Sequence, residues 1–281
     1  MWLFFTLLSA LLWGAGQVFA KRGIQNITPL CNNLISVIVI VVTWIPFALI
    51  HGVQFNQIVG ILPITFFVAL LFLSFYYVLV HEKISLIGTV VGIYPVLTIL
   101  LALFFLHENP NIYQKIAIVL TVIGTLLVGM PEKFKTLQQI KIGTWFWLAL
   151  FVSACLGVGH FLIKVILTTT DLHTYIFTYA ICWTVVILLS AIIDKKGRKL
   201  PIFTFKTYYP TLLGVAMVES GFLVFHLAAS LGPISLVEPI SSSYVALTVI
   251  LAWIFLKERI NRTQCIGITL VAIGVILVSI T

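Results

Sequence analysis

Two ionisable residues, Glu219 and His226, stand inside an otherwise apolar stretch of this chain. Seven positions separate them, which is two turns of an α-helix, so both side chains lie on one helix face. An acid and an imidazole on one face could form a proton relay or a cation site. The same spacing also fits a structural role, in which the two polar side chains form hydrogen bonds with a neighbouring helix. We interpret Glu219 and His226 as candidate proton-coupling residues.

A second acid, Glu238, precedes Pro239 at the start of another apolar stretch. Proline lacks a backbone N–H, so the helix can break locally and free carbonyl groups to line a polar cavity. Ser242 lies one turn after Glu238 on the same face. A helix start at the membrane interface explains Glu238 equally well, because the helix dipole favours a carboxylate there.

Other polar and aromatic residues complete the candidate set. Trp13 and Gln17 lie one turn apart, and Gln17 aligns with His160 when the first and sixth apolar stretches are superposed. Tyrosines near span ends, such as those of the Tyr175–Tyr179–Trp183 stripe, are typical of membrane-interface belts. The substrate-binding candidates are Trp13, Gln17, Tyr76, Tyr94, His160, Glu219, His226, Glu238, Ser242 and Tyr244.

The composition says which kind of element must position these residues. The chain has 281 residues, of which 61% are hydrophobic and 9% are charged. Soluble domains carry about 25% charged residues, so this is a helical membrane protein. Its apolar runs are continuous rather than alternating, which excludes a β-barrel. The four cysteines have no metal or redox spacing and are interpreted as small apolar fillers.

Ten apolar stretches are long enough to cross a membrane, for which about 20 residues are needed. We do not expect the first stretch to be a cleaved signal peptide, because it is too long and lacks basic residues at its start. The predicted spans are 2–20, 30–50, 58–80, 86–106, 112–130, 143–164, 172–193, 207–228, 234–256 and 263–280.

The second half of the sequence repeats the first. Residues 84–129 align without a gap on 234–279, with 20 of 46 positions identical. The polar triplet Glu108–Asn111–Gln114 recurs as Glu258–Asn261–Gln264, and both acids are interpreted as helix-end contacts. The predicted organisation is one five-helix repeat over 1–130, a connecting loop over 131–142, and a second repeat over 143–281. A repeat with an odd number of spans inserts its second copy upside down, as in many carriers.

The basic residues predict the orientation. Of 16 lysines and arginines, 14 fall in odd-numbered connections. The positive-inside rule therefore places those connections in the cytoplasm and both termini outside. We expect a multi-pass protein of the cell membrane, a bacterial inner membrane in particular, that contacts lipids and does not bind nucleic acid. Monomer and homodimer both remain open.

Several enzyme signatures are absent from the sequence. It contains no HExxH, Walker or GxSxG motif. We therefore predict no catalytic residue, no cofactor and no metal site.

The sequence resembles the drug/metabolite transporter superfamily, EamA type. The resemblance rests on Leu12-Trp13-Gly14 with Lys21, on Leu236-Val237-Glu238-Pro239, on Leu256-Lys257-Glu258-Arg259 with Gly267 and 271–275, and on weaker first-half versions at 106–109 and 122–124. It implies ten spans in two inverted five-helix repeats, and a central cavity lined by spans one, three, four, six, eight and nine, which carry the substrate-binding candidates.

These observations together favour a secondary active transporter. It would move a small polar metabolite, such as an amino acid, an amine or a similar zwitterion or cation, by alternating access, coupled to protons or to exchange. A single intramembrane carboxylate suits such solutes better than it suits multiply charged anions. A flippase for lipids or lipid-linked sugars, and a membrane subunit that transports nothing, are the alternatives.

Overall fold

A computed structural model of the chain describes residues 1–23, 27–78, 90–130, 144–194 and 205–280. The regular elements of these ranges are all α-helices, which confirms the predicted all-α fold class. The connecting loop predicted over 131–142 lies outside the described residues. The helices are α1 (Trp2–Gly23), α2 (Pro29–His51), α3 (Phe55–Val78), α4 (Tyr94–Phe105), α5 (Ile112–Gly129), α6 (Thr144–Thr169), α7 (Leu172–Ile193), α8 (Phe205–Leu231), α9 (Ile234–Ser241), α10 (Tyr244–Leu256) and α11 (Arg262–Ser279).

Nine stretches of the described chain are long and apolar enough to cross a membrane, and α9 with α10 forms one of them. The remaining predicted span, 86–106, is described from residue 90, and its helix α4 is shorter. Large aliphatic side chains point outward: Ile193, Ile50 and Val59 are 82%, 80% and 80% exposed. Such surfaces suit lipid rather than water, so this is a multi-pass membrane protein.

Connections of even number meet at one end of the bundle. The backbone N–H of Gln54, before α3, donates to Thr174 Oγ1 in α7 at 2.8 Å. The backbone N–H of Ile234, at the start of α9, donates to Glu108 Oε1 after α4 at 2.8 Å. The second connection thus meets the sixth, and the fourth meets the eighth, as expected for helices that cross in alternating directions.

The main helix contacts join the two halves of the sequence. Helix α1 packs along α8 and α3 packs along α6, while α1 contacts α10 and α4 contacts α6. Exchanging the two halves turns the α1–α8 contact into the α3–α6 contact, and the α1–α10 contact into the α4–α6 contact. The helices α5 and α11, which end the halves, pack on each other, as do α2 and α7.

Glycines permit the same close approach twice. A Cβ atom on Gly14 would lie 3.2 Å from the carbonyl oxygen of Tyr244, and one on Gly157 would lie 2.8 Å from that of Tyr94. Gly14 and Gly157 hold corresponding positions in α1 and α6, and the tyrosines begin α10 and α4. Small residues let helix backbones approach closely in membranes, so the repeated glycines build one crossing in two copies.

The polar turns after α4 and α10 also fold alike. His107 and Lys257 have left-handed backbones, with φ of 54° and 56°. Asn111 and Asn261 then form capping boxes with the glutamines three residues later. These polar residues recur because each copy ends one helix and starts the next in the same way.

The fourth and ninth spans are both interrupted just before a tyrosine. Residues 92–93 form a turn before Tyr94, and residues 242–243 form the corresponding turn before Tyr244. The sequence predicted a break at Pro239, but this proline lies within α9 and the turn begins three residues later. The serine hydroxyls at the end of α9 bond backbone carbonyls, Ser241 to Glu238 at 2.9 Å and Ser242 to Pro239 at 2.8 Å, which favours ending the helix there.

Candidate functional site

The interior of the second half holds a pair of polar side chains. His160 Nδ1 in α6 lies 3.0 Å from both Oε1 and Oε2 of Glu238 in α9. The two residues are 2% and 0% exposed, so water does not compete for this contact. This hydrogen bond joins the two groups, and its proton can reside on the imidazole or on the carboxyl group.

Aromatic rings enclose this pair. The centre of the Tyr94 ring lies 5.2 Å from the centre of the His160 imidazole, and the centres of the Phe72 and Phe225 rings lie 5.1 Å and 5.0 Å from it. The Tyr94 and Glu238 side chains also interact electrostatically. The first residue of α4 therefore reaches the acid from the other half of the sequence.

Trp13 adds the first span to the same region. Its indole Nε1 donates to the carbonyl of Val218 in α8 at 3.2 Å. Its ring lies 4.8 Å from Phe222 and 5.7 Å from Tyr244, the first residue of α10. Tyr244 in turn interacts electrostatically with Glu238. The structure thus brings together five predicted site residues, namely Trp13, Tyr94, His160, Glu238 and Tyr244.

Glu219 and His226 are both buried in α8, at 4% and 1% exposure. The ion pairs of the described residues do not include a contact between them. Seven residues of helix rise by about 10 Å, so a shared face does not bring the two groups into direct contact. The structure therefore separates the two predicted proton-coupling residues.

Three other predicted residues have different surroundings. Gln17 is half-buried in α1. Ser242 is buried, and its hydroxyl is engaged by the Pro239 carbonyl at the end of α9. The side chain of Tyr76 lies outside the described part of the chain.

Sequence reasoning missed several residues that enclose the imidazoles. The interface-belt interpretation of Tyr175, Tyr179 and Trp183 is wrong, because these side chains are buried, at 0%, 8% and 3% exposure. The rings of Tyr175 and Trp44 lie 5.2 Å and 5.3 Å from His226. The regular spacing of these residues along α7 could have indicated that they are buried, because a stripe on one helix face can pack against another helix as readily as it can face a membrane interface.

Comparison with known families now decides the class of protein. The sequence model of the EamA-like transporter family matches residues 1–130 and again residues 143–280. The chain belongs to this family. It is therefore a membrane transporter of the drug/metabolite transporter superfamily, as the resemblance implied.

Two further proteins are similar to this chain in sequence or in fold. An uncharacterized protein of Methanocaldococcus jannaschii is 35% identical over 134 residues, which are 48% of this chain and 95% of that protein. A protein about half as long thus aligns with about half of this chain. One crystal structure of a protein covers 99% of this chain and 96% of its own, with a TM-score of 0.77 and 14% identity, so it shares the fold.

At one end of this EamA-family bundle, two charged side chains bind backbone groups on either side of the start of α9. The Glu108 carboxylate accepts the backbone N–H groups of Ile234 and Ser235, each at 2.8 Å. Lys164 Nζ donates to the carbonyls of Ala229 and Gly232, each at 2.7 Å. Glu108 is a helix-end contact, as predicted, and it caps the first turn of α9 while Lys164 holds the preceding connection.

We expect Glu108→Ala to loosen this end of the transporter, because two backbone N–H groups lose a charged acceptor. Maleimide labelling of a Ser235→Cys reporter should accelerate by about tenfold, since local opening exposes the first turn of α9. The exposed Tyr113→Ala substitution nearby serves as the control and should leave the labelling rate unchanged. Equal labelling rates in the two backgrounds would contradict this role of Glu108.

Proposed function

We propose that this protein is a secondary active transporter that moves a small polar metabolite by alternating access. The solute is an amino acid, an amine or a similar zwitterion or cation, and transport is coupled to protons or to exchange. The substrate site contains Trp13, Gln17, Tyr76, Tyr94, His160, Glu219, His226, Glu238, Ser242 and Tyr244.

The paired helix breaks carry this proposal. Interrupted spans at corresponding positions of two repeats are the best indication of a binding site in transporters of this kind. Here the breaks precede Tyr94 and Tyr244, and both tyrosines interact with Glu238. A buried acid therefore lies where the two interrupted spans meet.

The chemistry of this region supports a zwitterion or a cation as the solute. Glu238 offers one carboxylate beside Tyr94 and Tyr244, and the Trp13 ring lies 5.7 Å from the Tyr244 ring. Such rings attract an ammonium group through cation–π contact. A multiply charged anion would be repelled by the buried Glu238 carboxylate, and the basic side chain described beside that acid, His160, is already its partner. The same arrangement suits an amine or the ammonium end of an amino acid.

Glu219 supports coupling to a proton. It is buried in α8, and the ion pairs of the described chain give it no cationic partner. A lone carboxylate in an apolar setting is costly when charged, so it favours proton uptake when the surroundings close and release when water reaches it. His226, two helical turns further along α8, is the second residue that we assign to proton coupling.

The test begins with ligand identification. A thermal-shift panel of amino acids, amines and nucleotides selects the solutes that stabilise the purified protein. In proteoliposomes with an imposed proton gradient, the wild type should accumulate the selected solute. Glu219→Gln should abolish accumulation against the gradient and retain exchange of solute across the membrane.

Ser220→Ala, at the neighbouring position of α8, is the control and should accumulate solute like the wild type. Full accumulation by Glu219→Gln would contradict the coupling role. Failure of the wild type to move any solute of the panel would contradict the proposed transport of small polar metabolites.

A further inference from the structure

Three polar atoms on contacting aromatic rings lie buried without a hydrogen-bond partner. They are Nε1 of Trp44 in α2, the hydroxyl oxygen of Tyr175 in α7, and Nδ1 of His226 in α8. The three side chains are 1%, 0% and 1% exposed. Buried polar groups of native proteins are nearly always hydrogen-bonded, so three exceptions in one cluster need a common explanation.

The three groups surround one imidazole. The Trp44 ring lies 5.3 Å from the His226 ring with the planes at 87°, and the Tyr175 ring lies 5.2 Å away at 88°. Tyr179 and Phe222 cover further sides of the imidazole, at 5.8 Å and 6.5 Å. The cluster is therefore built by side chains of three helices, α2, α7 and α8.

This cluster is separate from the Glu238 region. Phe225 lies between the two imidazoles, with its ring 5.0 Å from His160 and 5.9 Å from His226. Glu219 lies two turns before His226 on α8 and is the nearest acid along that helix. The two buried polar regions thus share Phe225 as an aromatic neighbour.

The chemistry of the donors selects the ligand. An indole N–H can only donate, so the partner of Trp44 must contain an acceptor. A phenol hydroxyl and a protonated imidazole nitrogen can donate as well, and a carboxylate has two oxygens with about four acceptor positions. The donor groups of Trp44 and Tyr175 are uncharged, so they suit one negative charge better than several.

We propose that Trp44, Tyr175 and His226 bind a carboxylate group of the transported solute. The proposal rests on the proposed transport function and narrows its substrate class to carboxylate-bearing zwitterions, that is, amino acids and their analogues, rather than amines. Trp44 and Tyr175 supply N–H and O–H donors, and His226 Nδ1 supplies the third.

Nuclear magnetic resonance of protein labelled with ¹⁵N at tryptophan tests this site directly, with sodium acetate as the carboxylate probe. The Trp44 indole resonance, assigned through Trp44→Phe, should shift saturably with acetate. The Trp183 resonance is the internal control and should not move, because its Nε1 already donates to Ser36 Oγ at 3.0 Å. Tyr175→Phe keeps the ring and should weaken acetate binding by about tenfold, the effect of one lost hydrogen bond.

The outcomes separate this site from the transport function. A Trp44 resonance that ignores acetate would overturn the carboxylate site, even if proteoliposomes accumulate solute. An equal shift with sodium chloride would identify a free halide as the ligand and would also overturn it. Saturable acetate binding in a protein that transports nothing would support the site and contradict the proposed function instead.

Discussion

Exchanging Glu238 for glutamine is expected to lower the transport rate by about 100-fold, because glutamine can hold neither the charge nor the proton of a carboxyl group beside His160. His160 Nδ1 lies 3.0 Å from the carboxylate, and both side chains are shielded from water. Glutamine keeps the volume and one acceptor oxygen, so the protein should still fold. Initial rates of solute uptake into proteoliposomes measure the effect.

His160→Gln should reproduce the loss from the other side of the contact. The matched control is His51→Gln, because His51 is an exposed histidine at the end of α2. Glu238→Ala, which also removes the acceptor, should lower the free energy of unfolding by about 3 kcal/mol. Uptake by Glu238→Gln within twofold of the wild type would show that this carboxylate does not contact the solute or its coupling proton.

The second large effect is expected on stability, from Gly124→Ala in α5. The added Cβ would lie 2.7 Å from the carbonyl oxygen of Gly267 and 2.8 Å from the backbone nitrogen of Val271. Backbone atoms of a packed helix cannot turn away, so α5 and α11 must separate. We expect a loss of about 2 kcal/mol in the free energy of unfolding, measured by denaturant titration in detergent micelles.

Gly274→Ala in α11 should lower the free energy of unfolding by a similar amount, because its Cβ would lie 2.9 Å from the carbonyl oxygen of Ala117 in α5. Gly60→Ala is the control, because nothing lies within 4 Å of a Cβ there. Alanine favours a helix over glycine by about 1 kcal/mol, so this control should be neutral or stabilising. Equal stability of all three variants would contradict the close packing of α5 on α11.

Periodicity and repetition predict much of this fold. Continuous apolar runs predict the helices, and the offset of the repeat predicts that the turns after α4 and α10 share one design. His107 and Lys257 have the same left-handed backbone for that reason. Local sequence determines these features, because caps and turns depend on residues only a few positions apart.

The partners of the buried acids could not be predicted in the same way. Spacing along α8 predicts that Glu219 and His226 share a face, but it does not say which helix packs there. The pairing of His160 with Glu238 joins residues 78 positions apart and depends on how α6 meets α9. Glu108 likewise caps a helix that begins 126 positions later. Helix periodicity predicts which face of a helix a side chain lies on, whereas tertiary packing determines which residue that side chain contacts.

The mutual packing of the two halves has a consequence for biogenesis. Thr98 in α4 donates to the carbonyl of Gly157 in α6, and α5 packs on α11 at the far end of the chain. The ribosome delivers α1 to α5 to the bilayer before any of these partners has been synthesised. The nascent amino-terminal segment must therefore persist in lipid as a loosely associated intermediate, and assembly can finish only when the last helix leaves the insertion machinery.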